Sequence, residues 1–185
     1  MWWDKKRGYD DPVPPQAWDE ALKVGMYMLD AHGRLLPAVR DTVRLCADHG
    51  VALSFGHLSP QEMDALADEI GAIGYTRAFI DHPFSEVFDH DVPKMRRWAA
   101  AGVRFALTWD ELSPLLGVDP QDMVGAIRAV GPEHFMLSSD AGIPLLPPTV
   151  EAYRLLAAML RAYGMTEPEM RQLMTGSAKE MLTLQ

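Results

Sequence analysis

The stretch Val51-Ala-Leu-Ser-Phe55-Gly56-His57-Leu-Ser59-Pro60-Gln-Glu62 decides how the rest of the chain is read. Val51 to Phe55 is a short apolar run with the length of a buried strand. Gly56 and His57 leave it, and Ser59-Pro60-Gln-Glu62 opens a helix. Ser supplies the N-cap oxygen. Pro fits the first helical position, where its missing N–H has no partner to lose, and Glu closes a capping box. The helix runs to about Ile73 and stops at Gly74, a residue that tolerates the left-handed backbone of a C-cap. A strand passing directly into a helix is one βα unit.

The same unit recurs on both sides. Upstream, Val24 to Leu29 reads as a strand, Asp30-Ala-His32-Gly33 as a turn, and Pro37 to His49 as a helix stopped by Gly50. Downstream, Arg77 to Asp81 is a strand ending in His82-Pro83, and Phe84 to Val92 is a polar loop. Val92 to Ala101 is a helix and Val103 to Thr108 a strand. Asp119-Pro-Gln-Asp122 caps a helix to Val130, and His134 to Ser138 is the last strand, leading into Ser139-Asp140-Ala-Gly142. Helical segments follow at Val150 to Tyr163, Glu167 to Thr175 and Ser177 to Leu182. About five short apolar strands separated by helices form a parallel sheet covered by helices. Periodicity leaves two architectures open: part of a (β/α) barrel, or an open doubly wound sheet.

Composition narrows the function classes. The chain has 185 residues, 48% hydrophobic and 23% charged, the proportions of a soluble globular domain. A complete eight-stranded barrel takes about 250 residues, so a whole one is not expected. The net charge of -9 comes with no basic stripe, which argues against a nucleic-acid partner. No leader-like segment or membrane-length apolar run is visible, so the expectation is a cytoplasmic protein with no membrane partner. Cys46 is the sole cysteine. It excludes a disulfide or Cys-rich zinc site and reads as a buried structural thiol. Met1 to Gln16, with two adjacent tryptophans and three prolines, reads as an N-terminal arm, and 17–185 as one α/β domain.

Chemistry in parallel α/β folds gathers at the C-terminal ends of the strands. There the sequence places His57, His82, Asp110 with Glu111, and Ser139 with Asp140. His57 and His82 are one βα unit apart, which puts two imidazoles on adjacent strands at one rim, within reach of a single ion. Asp140 adds a carboxylate able to ligate that ion or to take a proton from its water. Asp110, Glu111, Ser139 and Glu62 are candidate substrate contacts or supports, although an N-cap role for Asp110 or Ser113 competes. His49 ends a helix, His32 sits in a turn, His90 in a polar loop and His134 at the start of a strand, and all four read as structural or surface residues.

Together, Gly56-His57-Leu-Ser59-x-x-Glu62, Asp81-His82-Pro83 and Ser138-Ser139-Asp140-x-Gly142 resemble the amidohydrolase superfamily, from about Gly25 to the C-terminus. The resemblance implies the C-terminal part of a TIM-type (β/α)8 barrel, in which strands five and six each give a histidine ligand and strand eight an aspartate. These are His57, His82 and Asp140 here. It further implies a divalent metal (Zn first, Mn or another late divalent ion second) and hydrolysis of a small polar amide, ester or phosphoester by metal-activated water. Two features of the superfamily have no counterpart: the first-strand H-x-H pair and the bridging ligand of strand four, since Lys23 precedes a strand instead of ending one. Five strands cannot close a barrel, so open edges and an apolar interior face are expected. A homo-oligomer or a complementary N-terminal half-barrel chain would cover them. The alternative function is a non-catalytic scaffold subunit with a vestigial metal site.

Overall fold

The computed structural model describes residues 27–85 and 91–182. The expected arm, Lys23, His90 and the first part of the Val24 to Leu29 strand lie outside the described residues. Four strands form one parallel sheet in sequence order: β1 (Leu53–Ser54), β2 (Ala78–Asp81), β3 (Val103–Leu107) and β4 (Phe135–Leu137). Ala78 lies opposite Val103 and Phe105 opposite Phe135, so the register aligns the C-terminal ends at one rim.

Helix α1 (Pro37–Asp48) precedes the sheet, the crossovers carry α2 (Pro60–Ile73), α3 (Val92–Ala100), the short α4 (Trp109–Leu112) and α5 (Pro120–Val130), and α6 (Thr149–Ala162) follows the last strand. After them come α7 (Glu167–Arg171), a π-helical turn (Gln172–Gly176) and α8 (Ser177–Leu182). The capping box at Ser59 forms as expected, and Asp119 caps α5 through the N–H of Gln121. Among the described residues no helix is long and apolar enough to cross a membrane.

The sheet has two unlike faces, because successive side chains of a strand alternate. Ala78, Ile80, Val103, Phe105 and Phe135 are fully buried and pack with helix residues Met63, Ile70, Trp98, Ile127 and Leu156. Each large apolar side chain removed from water there contributes about 1.5–3 kcal/mol. The other face differs from the expected apolar interior. Ser54 donates to Asp81, Arg104 pairs with Glu180 of α8 at 2.9 Å, and Phe79 and Met136 are half-buried. A surface carrying such pairs can meet water or a partner without a large apolar penalty.

The first expected strand is corrected in its described part. Tyr27 to Leu29 forms no ladder, only an antiparallel bridge from Leu29 to Leu35. The cause is Asp30, whose carboxylate accepts from the N–H groups of His32 and Arg34 and from the Arg34 guanidinium. That turn folds the chain back on itself. Cys46 is half-buried against the core, less enclosed than expected.

Candidate functional site

Ladder hydrogen bonds run to the strand ends and carry the candidate residues with them. The N–H of Phe55 donates to Phe79, that of His82 to Ala106, and that of Ser138 to Leu107. His57, His82, Asp110 and Asp140 therefore leave the sheet on the same side. His57 and Asp140 are exposed, while His82 and Asp110 are buried.

The two histidines meet. Their Nε2 atoms are 3.1 Å apart and the rings pack edge to face, with centroids 4.5 Å apart. Gly56 lies against the pair: a Cβ there would sit 3.5 Å from His82 Nε2, in ordinary contact. Two neutral rings tolerate facing nitrogens only if one donates a proton to the other. The alternative is a cation shared by two lone pairs, and nitrogens each about 2.0–2.1 Å from one tetrahedral zinc lie roughly 3.3–3.4 Å apart, slightly wider than the spacing here. The pair therefore fits a late divalent ion. Burial, with His82 close by, lowers the pKa of His57, against the opposing field of Asp140; this favours the neutral form a metal needs. His82 Nδ1 lies 3.3 Å from Ser85 Oγ, a neighbour the sequence reading missed. Its position three residues after the histidine was the only signal.

Among the described residues, the only non-glycine residues with positive φ are His57 at 57°, His82 at 36° and Asp140 at 45°. Strained backbone of this kind persists where surrounding structure holds it, and it concentrates at functional sites. Asp140 nevertheless does not complete a cluster: among the described residues no group of three or more ligand-type side chains closes on one metal position.

The supporting residues divide. Asp110 is 8% exposed, its Oδ1 has no hydrogen-bond partner, and its carboxyl is pushed above the usual range by burial, with the charge of Asp140 adding to the effect. Glu111 is wholly buried and accepts from the backbone of Phe84 and Thr108. Neither Asp110 nor Ser113 is the N-cap of α4: Thr108 takes that place, forming the capping box with Glu111, and Ser113 is the C-cap. Glu62 serves its own box and also accepts from the N–H of Met28 at 3.1 Å. Burial would raise its pKa, but the hydrogen bonds from Ser59 and Met28 win and hold it low. Ser139 accepts from the N–H of Ala141. Beside the rim, the exit loops of β3 and β4 and Leu155 of α6 line an open apolar hollow of about 490 Å³, with Trp109, Ser113, Leu115, Leu145 and Leu146. That volume is in the range of small-molecule sites.

A family model matches residues 5–106, and it describes a family of unknown function, DUF6282. The chain belongs to that family. No curated protein matches the chain. Two crystal structures of an amidohydrolase from Burkholderia multivorans are similar to this DUF6282 member. The one with bound HEPES has a TM-score of 0.50 and 18% identity, covering 93% of this chain and 71% of that one. The one with bound Zn has a TM-score of 0.51 and 16% identity, covering 96% and 72%. At such identities the likeness concerns the fold: an α/β fold of parallel βα units, as in amidohydrolases.

Proposed function

We propose that this DUF6282 protein is a metal-dependent, hydrolase-like protein acting on a small substrate with an amide, ester or phosphoester bond. The observation that carries the reading is the 3.1 Å approach of His57 Nε2 to His82 Nε2 on a strained rim. Both nitrogens would hold the ion, zinc in the first place. A bound divalent ion supplies a water acidified to a pKa of ~7. Asp140, exposed at the same rim, is placed to add a carboxylate ligand or to accept a proton. Asp110 stands buried behind the rim with its Oδ1 unpartnered, and the pocket beside Trp109 takes an apolar part of the substrate. The Zn-bound amidohydrolase of similar fold adds support for the choice of ion.

The test is metal analysis of protein purified without chelators, followed by assay on nitrophenyl esters, anilides and phosphoesters. About one ion per chain is expected, with loss of both metal and hydrolysis in H57A/H82A. Protein that takes up no added zinc, with an unchanged double variant, would sink the reading.

The second reading is a non-catalytic scaffold subunit, completed by a second copy or by a complementary chain. It is favoured by the lack of a three-ligand group among the described residues. It expects assembly that ignores both metal and the H57A/H82A change.

A further inference from the structure

Three Ser/Thr-x-x-Glu capping boxes occur in the described residues, at Ser59–Glu62, Thr108–Glu111 and Thr166–Glu169. In an ordinary box the glutamate folds back onto its own N-cap. Glu169 does this and turns to the Arg128 guanidinium as well. Glu62 keeps one oxygen on its own cap and accepts from the N–H of Met28 with the other, and Glu111 bridges in the same way, but fully buried and onto the turn after His82. Its Oε2 accepts from the N–H of Thr108 at 2.7 Å and from its hydroxyl at 3.2 Å, while its Oε1 accepts from the N–H of Phe84 at 2.6 Å. Phe84 lies two residues beyond His82, on the exit of the neighbouring strand. One fully buried carboxyl thus ties the exit of β3 to that of β2.

His82 requires a brace. Its φ of 36° lies in the left-handed region that disfavours a Cβ, so it persists only if the turn around it is over-determined. Two backbone bonds contribute: His82 N–H to Ala106 O, and Ser85 N–H to His82 O, both 3.0 Å. The Phe84 side chain, 1% exposed, anchors the far end. The bond from Phe84 N–H to Glu111 is shorter than either of the other two. It joins the far end of the turn to the start of α4, as the His82 bond joins its near end to β3.

We propose that Glu111 is a positioning residue that holds the His82-Pro83-Phe84 turn, and with it His82 Nε2, against His57. The proposal rests on the metal-site reading only for its effect on metal binding; the ring contact stands apart from it. Gln at 111 presents one acceptor oxygen and an NH2 group that cannot accept, so one of the two backbone donors loses its partner. Asp keeps the carboxyl but is one methylene too short to span both.

The experiment compares wild type with E111Q, E111D and, as a control that breaks a distant box, E169Q. Zinc affinity is read by competition with a chromophoric chelator. The cross-relaxation between the His57 and His82 rings is read by NMR in metal-free protein. E111Q should bind zinc 10–100-fold more weakly, the range for losing a residue that supports a ligand, and should lose the ring–ring cross-peak. E169Q should change neither, even where its melting temperature falls as far. E111Q with both readouts intact, or E169Q losing as much, overturns the proposal. Should E111Q fail to fold, E111D decides by the same criteria. If wild type binds no zinc, the metal reading falls while the ring contact still decides the role of Glu111.

Discussion

At His57, His82 and Asp140 the backbone lies in the left-handed region, where a Cβ crowds the neighbouring carbonyl. The side chain that chemistry requires is thus kept where glycine would be more comfortable. The consequence is measurable at Asp140, which is exposed and not packed in the core. D140G should be more stable than D140A by about 1 kcal/mol, since only the glycine escapes the penalty. Equal denaturation midpoints would remove the strain argument. Glu111 gives a second prediction. Burial raises its carboxyl to about 8 despite the N–H donors of Thr108 and Phe84, so the folded state holds a proton that the unfolded chain releases near 4.5. The stabilisation is full below that value and is lost as pH rises toward 8. Urea midpoints should therefore fall between pH 5 and pH 9 in wild type, with a flatter profile in E111Q. The residue types at the strand ends were legible in the sequence. That Thr108, and not Asp110, caps α4 was not, because Asp, Ser and Thr all make good caps and only the fold decides which of them meets the N–H.

The βα unit is the element that sequence reads well, since apolar run, capping box and stop residue are all local signals. Ser59 illustrates it: its oxygen and Glu62 exchange bonds as the motif implies. S59A should cost about 1 kcal/mol, in the range for a lost cap. Little or no shift in the thermal midpoint would mean that the bond from Met28 N–H to Glu62 holds the helix start instead. Elements escaped the reading where the signal is not local. α4 has four residues, too few for a helical period to register. The strands came out shorter than their apolar runs, β1 covering only Leu53–Ser54 of Val51 to Phe55, because ladder pairing is set by the neighbouring strand. Between Glu167 and Leu182 the sequence suggests separate helices, but a π-helical turn over Gln172–Gly176 joins them. Nothing in the apolar spacing distinguishes that turn from a break.

At the scale of the molecule, the sheet's geometry bears on assembly. β1 and β4 are outermost among the described residues, so each presents a row of backbone groups on its outer side. On the β1 side Leu45 is 59% exposed and Val51 53% exposed, apolar surface next to an unpaired edge. The second face is held by the Ser54–Asp81 and Arg104–Glu180 pairs and is not an open oily layer, which limits the drive to bury it whole. Edge pairing is therefore the expected mode of association, with a second copy as the partner that any purified sample supplies. Sedimentation equilibrium should return a mass above the 20.6 kDa of one chain. V51K sets a charge beside that edge, a device natural sheets use against pairing, and should weaken association roughly tenfold, about 1.4 kcal/mol. A species that stays at one chain across the concentration range would exclude the second copy and leave a complementary chain as the partner to seek. Association unaffected by V51K would place the contact elsewhere, with β4 the remaining edge.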